Sequence, residues 1–119
     1  MNLEELREYC LQLPGGVTED RPFGNDVLVF RIRNKIFLLT PLDTEDVRFN
    51  VKCDPEKAVE LREQYPFVKP GYHMNKANWN TVHVQSPGTD LLYKEWIRDS
   101  YDLIVASLPA KVRKELSAG

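Results

Sequence analysis

The chain has only two cysteines, Cys10 and Cys53, among its 119 residues. Two cysteines are too few for the disulfide framework that stabilises small secreted domains, so we expect free thiols in a reducing compartment. The sequence also has no apolar run approaching the roughly 18 residues that a membrane-spanning helix needs. Its first five residues, Met-Asn-Leu-Glu-Glu, are acidic overall and contain no hydrophobic secretory segment. We therefore predict a cytoplasmic protein with no membrane partner.

Sequence motifs of common enzymes and metalloproteins are absent as well. There is no phosphate-binding glycine loop, nucleophile elbow or dinucleotide fingerprint. Cys10, Cys53, His73 and His83 show no CxxC, HxxxH or HxH spacing, so no zinc site is predicted. Cys53 precedes a helix start that would favour a thiolate, but a cysteine hydrolase also needs a histidine and an oxyanion hole within reach. We expect a packed thiol, no cofactor, no metal and no catalytic residue.

The composition is that of an ordinary globular protein, with 42% hydrophobic and 29% charged residues. This length favours one domain over residues 1–119 and is sufficient to bury an apolar core. The net charge is −2, from 16 basic and 18 acidic residues. The chain is therefore not a globally basic nucleic-acid binder, and any site for a polyanion must be a local patch.

Helix signals occur near the start of the chain and in its second half. Asn2 and Glu5 have the spacing of a capping box, and apolar residues then recur at helical intervals. The sequence 54–56 (Asp-Pro-Glu) predicts a second helix with Asp as its cap. Thr89 is expected to begin a long third helix, and Pro109 a short fourth one.

Strand signals lie between the first two predicted helices and again after residue 78. Period-two alternation predicts half-buried strands that place Phe30 and Phe49 in the core. Residues 33–35 (Arg-Asn-Lys) predict a hairpin in which Asn34 supplies the left-handed backbone angle, and 86–88 predict a turn. Five strands are expected, in segments 17–23, 28–32, 36–40, 47–52 and 79–85. The order α-β-β-β-β-α-β-α-α predicts an α+β domain, an antiparallel sheet with helices on one face and the other face open to water.

The strands that would form the open face carry charge of one sign. Segments 27–40, 47–52 and 79–85 contain five basic residues and no acidic ones: Arg31, Arg33, Lys35, Arg48 and Lys52. Such a face is suited to a phosphate backbone. Basic residues on an exposed sheet face can equally serve to discourage edge pairing between molecules.

A polar and aromatic segment precedes the last predicted strand. It contains Lys69, Tyr72, His73, Lys76 and Trp79, which together can stack on flat rings and neutralise anions. A plain connector needs fewer such groups. Alternatively, Trp79 anchors the segment to the core, His73 satisfies backbone groups, and the asparagines shape the turn.

Several of these segments together resemble the MmcQ/YjbR family over nearly the whole chain. The segments are 30–37 (FRIRNKIF), 50–56 (NVKCDPE), 70–76 (PGYHMNK), 79–82 (WNTV) and 100–105 (SYDLIV). The resemblance implies a CyaY-like α+β fold and a bacterial cytoplasmic protein. It also implies DNA binding, since members are described as DNA-binding proteins by analogy with a double-wing fold. The hairpin turn, which often carries paired glycines in the family, has Arg33-Asn34 here and is more basic.

Two main functions follow as expectations. The first is largely non-sequence-specific DNA binding through the basic sheet face and the 69–80 segment. The second is a non-enzymatic module that binds a small ligand or a protein through the same segment. An enzyme using Cys53 or His73 ranks last. A monomer is favoured, although the sequence leaves the oligomeric state open.

Overall fold

The helices form largely where the sequence predicts them. The computed structural model describes residues 1–84 and 89–118, so the turn expected at 86–88 and the strand end expected at residue 85 lie outside the described residues. Within them, helix α1 spans Leu3–Gln12, α2 Pro55–Gln64, α3 Asp90–Ala106 and α4 Ala110–Ala118. No helix of these two ranges is long and apolar enough to cross a bilayer.

The start of α1 confirms the predicted capping box, whereas the start of α2 differs from prediction. The Asn2 Oδ1 atom accepts a hydrogen bond from the Glu5 amide at 2.8 Å, and the Glu5 carboxylate accepts one from the Asn2 amide at 3.1 Å. Asp54 occupies the N-cap position of α2 but makes no capping bond through its side chain. The expectation of an Asp54 side-chain cap is therefore wrong. Pro55, whose fixed φ suits the first helical position, begins the helix instead.

The sheet is antiparallel throughout and has one strand more than expected. Strand β1 spans Thr18–Asp20, β2 Val27–Ile32, β3 Lys35–Pro41, β4 Arg48–Lys52, β5 Val68–Pro70 and β6 Trp79–His83. Their spatial order is β1-β2-β3-β4-β6-β5. The additional strand is β5, which pairs with β6. Its three residues include a lysine and a proline, so it carries almost no strand signal. The α+β class and the antiparallel sheet are confirmed.

The β2–β3 hairpin closes with the turn that the sequence predicts. Arg33 has φ 48° and Asn34 has φ 70°, and Ile32 pairs with Lys35 across the turn. Two successive positive φ values are the requirement of a two-residue type I′ turn. The register shifts between Phe30 and Arg31, which marks a β-bulge.

The apolar core lies between the sheet and the helices. Most of the inward residues predicted from alternation, including Phe30, Phe49 and Val82, are buried there. Helix α3 contributes Tyr93 and Trp96, and Tyr93 makes an edge-to-face contact with Phe49 at 6.1 Å between ring centroids. The helices thus cover one face of the sheet, as predicted.

A buried serine of α3 links two strands beneath the helix. The Ser100 hydroxyl accepts a hydrogen bond from the Lys52 amide at 2.8 Å and donates one to the Phe37 carbonyl at 2.6 Å. Leu38 and Val51 are paired directly, so Phe37 and Lys52 are the next residues along the two strands. The hydroxyl therefore bridges β3 and β4 where their direct pairing ends, and its side chain is fully buried.

The two outer strands of the sheet are short. Each has three residues, β1 at one side and β5 at the other. Thr18 and Asp20 are exposed in β1, and Lys69 and Pro70 are exposed in β5. The sheet therefore ends on both sides in polar, charged or proline residues.

Candidate functional site

The sheet face opposite the helices is not uniformly open to water, in contrast to the expectation. A row of side chains crosses it from β2 to β6, since Val29 pairs with Leu39, Leu39 with Asn50, and Asn50 with Thr81. Val29 is 0%, Thr81 3% and Leu39 8% exposed. The burial arises because connecting segments fold over this face, which strand alternation alone does not show.

These segments enclose a pocket of about 670 Å³, here called the sheet-face pocket. The side chains of Val27, Ile36 and Leu39 give it an apolar floor. One wall is the segment 21–26, which contributes Phe23 with 66% of its surface exposed. The opposite wall is the segment 71–78, here called the 71–78 loop.

A network of three hydrogen bonds holds the 71–78 loop on the sheet, and the Tyr72 backbone makes two of them. The Tyr72 amide donates to Thr81 Oγ1 at 2.9 Å, and that hydroxyl donates to Asn50 Oδ1 at 2.5 Å. The Asn50 side chain donates in turn through Nδ2 to the Tyr72 carbonyl at 3.2 Å. Asn50 and Thr81 are therefore site residues that sequence patterns did not indicate. The signal that could have identified them is that they lie directly opposite each other on β4 and β6.

The tip of the loop places two rings beside the pocket. The Tyr72 and His73 rings are 4.0 Å apart between centroids, and both residues line the pocket with Met74. His73 has φ 60°, a left-handed conformation that costs energy for a residue other than glycine. The two hydrogen bonds that the Tyr72 backbone makes to Asn50 and Thr81 help to hold this conformation.

The base of the loop is packed against Trp79. The Gly71 amide donates to the Trp79 carbonyl at 2.8 Å, and a Cβ atom at Gly71 would lie 2.8 Å from both the Cβ and the carbonyl oxygen of Trp79. Lys76 donates through Nζ to the Gly71 carbonyl at 3.1 Å. Trp79 is half-buried and does not line the pocket. It therefore supports the loop from its base.

The predicted cationic residues do not form a continuous, unopposed surface. Arg31 pairs with Asp20 at 2.9 Å, and Arg33 pairs with Glu115 at 3.2 Å. Arg48 lies 3.9 Å from Asp46. The acidic partners come from β1, α4 and the segment before β4. The charge bias counted within the strands is therefore opposed by carboxylates from outside them.

The remaining predicted cations are spread over the molecule. Lys35 lies next to the hairpin turn, Lys52 at the end of β4, and Lys69 on the outer strand β5. Within residues 1–84 and 89–118, these three lysines and Lys76 make no ion pair. They are the part of the predicted basic set that is available to a polyanion.

Arg48 differs from the other polar residues of the pocket. Its Nε atom is buried and has no hydrogen-bond partner within the described residues. A third of the side chain is exposed, and the residue lines the pocket. Buried N–H groups are nearly always paired in proteins, because an unpaired one retains its full desolvation cost.

Asp46 is held next to Arg48 by His83. Its carboxylate lies 3.4 Å from His83 Nδ1. This hydrogen bond, together with a backbone hydrogen bond and the charge of Arg48, lowers the pKa of Asp46 below its ordinary value. Asp46 is thus ionised throughout the neutral range.

The Asp46→Asn variant should be less stable than the parent chain at neutral pH. Because the pKa of Asp46 is lower in the folded chain, its contribution is present above the unfolded pKa of about 3.9 and is lost as the pH falls through the folded value. Urea unfolding of both chains from pH 7 downwards measures the difference. A difference that persists unchanged in strong acid would contradict the role of the carboxylate.

Both cysteines are buried thiols. Burial raises the pKa of Cys10 and of Cys53. For Cys53, Lys57 opposes the shift, but the desolvation of the thiol is the larger effect. A raised pKa disfavours the thiolate that a nucleophilic cysteine needs. Among the described residues, no group of three or more His, Cys, Asp or Glu is placed to hold a metal ion.

Comparisons with known proteins find relatives of the chain in bacteria. The YjbR family model matches residues 11–103. The chain is 38% identical over 117 residues to the uncharacterized protein YbdF of Escherichia coli O157:H7, covering 98% of this chain and 94% of that one. It is 31% identical over 118 residues to the uncharacterized protein YjbR of Escherichia coli K12, covering 98% of each.

Solved structures give the same result. The crystal structure of Deinococcus radiodurans protein DR2400, with a DUF419 domain, matches with a TM-score of 0.90 and 34% identity, over 98% of this chain and 88% of that one. A crystal structure of a Pseudomonas syringae protein matches with a TM-score of 0.71 and 28% identity, over 87% and 98%. The resemblance found in the sequence is confirmed, and the chain belongs to the YjbR family.

Proposed function

We propose that this protein binds a small, largely apolar molecule in the sheet-face pocket. The observation that carries the proposal is the pocket itself, about 670 Å³ in volume, with an apolar floor between Phe23 and the 71–78 loop. Small-molecule sites are concave, mostly apolar and a few hundred to about 1,000 Å³ in volume. A flat sheet face beside Tyr72 would have argued against such a function.

The walls of the pocket suit a ligand that contains a flat ring. Phe23 and Tyr72 are 66% and 65% exposed, and both line the pocket. Exposed aromatic side chains at a concave site gain both apolar burial and ring contacts when a ligand covers them. This is the ligand-binding alternative expected from the sequence, with the pocket as its support.

We propose binding without catalysis. The side chains that line the pocket include no cysteine or serine, and both threonine hydroxyls already donate, Thr81 to Asn50 Oδ1 and Thr44 to the Asp46 carbonyl. Cys53 does not line it. A nucleophile next to a general base, which covalent catalysis requires, is not assembled among these residues.

DNA binding is the second candidate function. Lys35, Lys52 and Lys69 favour it, since no ion pair occupies them in the described parts of the chain. Two arginines that the sequence pattern assigned to the DNA surface, Arg31 and Arg33, form close ion pairs with carboxylates, which reduces the net field that a phosphate backbone would experience. For this reason we rank DNA binding below the small-molecule proposal.

The neutral fluorescent probe N-phenylnaphthylamine tests the pocket. We expect saturable binding to the parent chain and a loss of at least about tenfold in affinity in the Ile36→Trp variant, because the indole would fill the floor of the pocket. Leu91→Trp is the matched control, since Leu91 lies on α3 with 83% of its surface exposed. It should bind the probe like the parent chain. Equal binding by both variants, or none by the parent chain, would overturn the proposal.

Fluorescence anisotropy with short labelled duplex and single-stranded DNA tests the second candidate. If DNA binding occurs, its affinity should fall steeply with salt and in a chain with Lys35, Lys52 and Lys69 all replaced by Gln. Absence of binding at low salt would remove this candidate. Binding that Ile36→Trp leaves unchanged would show that any DNA surface is separate from the pocket.

A further inference from the structure

We infer that the ligand of the sheet-face pocket is an amphipathic anion, an apolar ring system bearing one acid group that is recognised by Arg48. This inference rests on the proposed function, since it concerns the same pocket. It adds the chemical class of the ligand and the residue that selects it.

The polar side chains that the sheet contributes to the pocket already have hydrogen-bond partners, with the exception of Arg48 Nε. Thr81 Oγ1 accepts from Tyr72 and donates to Asn50, so its proton is used. Asn50 accepts from Thr81 and donates to the Tyr72 carbonyl. Among the residues that line the pocket, Arg48 Nε is the single buried side-chain nitrogen or oxygen atom for which the described residues provide no partner.

The positive charge of Arg48 is also weakly matched by its carboxylate neighbour. Its closest approach to Asp46 is 3.9 Å, beyond hydrogen-bond distance, and the Asp46 carboxylate is already engaged by His83 at 3.4 Å. A guanidinium with a free Nε–H prefers an acid group with two oxygens that can accept parallel hydrogen bonds. A carboxylate or sulfonate on the ligand supplies that acceptor.

Two carboxylates, unlike that of Asp46, line the pocket and bear on its charge preference. Asp26 and Asp43 are both exposed, so water screens their repulsion of an anion. Arg48 is partly buried, and its attraction for an anion is screened less. The acid group is therefore placed at the Arg48 end of the pocket, with the apolar part of the ligand over Ile36 and Leu39. Because Nε is buried in this structure, binding must turn the guanidinium towards the ligand.

A matched pair of probes separates this inference from the proposed function. Anilinonaphthalene sulfonate and N-phenylnaphthylamine share one ring system and differ by the sulfonate. We expect the sulfonate probe to bind the parent chain about tenfold more tightly, the gain typical of a charge-assisted hydrogen bond. Arg48→Gln should remove this preference and leave the affinity for the neutral probe within about twofold.

The controls distinguish recognition by Arg48 from general charge effects and from unfolding. Arg113→Gln removes one exposed arginine of α4 and should leave both affinities unchanged. Arg48→Lys keeps the charge but lacks Nε, and it should recover only part of the preference. Near-UV circular dichroism of each variant verifies the fold.

Equal affinities of the two probes for the parent chain, or an equal loss of both in Arg48→Gln, would overturn the inference while the pocket proposal stands. If the neutral probe does not bind the parent chain, the pocket proposal itself is overturned.

Discussion

Ser100→Ala should lower the free energy of unfolding by about 3 kcal/mol and the Tm by about 10 °C. The hydroxyl accepts from the Lys52 amide and donates to the Phe37 carbonyl in a fully buried position. Alanine removes both hydrogen bonds at once and leaves two backbone groups without partners in the core. Each buried unsatisfied group costs about 1–3 kcal/mol. Urea and thermal unfolding measure the effect.

Ser107→Ala is the matched control for this variant. Ser107 lies at the end of the same helix, is exposed, and bonds only locally to the Ile104 carbonyl at 2.6 Å. Its replacement should change the stability by no more than about 0.5 kcal/mol. If Ser100→Ala were as mild as the control, the bridge between β3 and β4 would not be an important stabilising contact.

Gly71→Ala should displace the 71–78 loop and weaken probe binding at least about tenfold. An alanine Cβ would lie 2.8 Å from the carbonyl oxygen and 3.0 Å from the carbonyl carbon of Trp79. Those are backbone atoms of β6, so the loop must move, and its hydrogen bond to Trp79 is lost with it. Overpacking of this kind also costs about 2 kcal/mol in stability. N-phenylnaphthylamine titration and thermal unfolding measure the two effects.

Gly16→Ala separates loop displacement from the general cost of replacing a glycine. Gly16 has φ 78°, and a Cβ atom at this position would have no neighbouring atom within 4 Å, so alanine there is strained but meets no obstacle. It should cost about 1 kcal/mol in stability and leave probe binding unchanged. Binding at the parent affinity by a folded Gly71→Ala chain would show that the loop does not form a wall of the site.

The parts of the fold that the sequence predicts are those set by local spacing. Period-two alternation identifies the strands that carry Phe30 and Phe49, and Arg33-Asn34 marks the hairpin turn. Strand β5 is missed because Lys69 and Pro70 have little strand preference. It forms because the neighbouring strand β6 supplies an edge for pairing, which is tertiary information.

The candidate site is harder to predict than the core, because segments distant in sequence build it. The 71–78 loop is recognised from its aromatic and polar residues, and it does form one wall of the pocket. The opposite wall, with Phe23, could not be predicted from the sequence, because its position beside the pocket depends on how the sheet is assembled. The ion pair between Arg33 and Glu115 joins residues 82 positions apart in the sequence. Rules based on local residue spacing do not predict contacts at that separation.

The short outer strands of the sheet affect how the protein behaves at high protein concentration. A sheet grows by recruiting another chain wherever it offers a long run of free backbone amides and carbonyls. Here β1 and β5 offer three residues each, and Pro70 has no amide hydrogen to donate. We expect concentrated solutions to resist fibre formation, and replacing Lys69 and Pro70 by valine to remove part of that resistance.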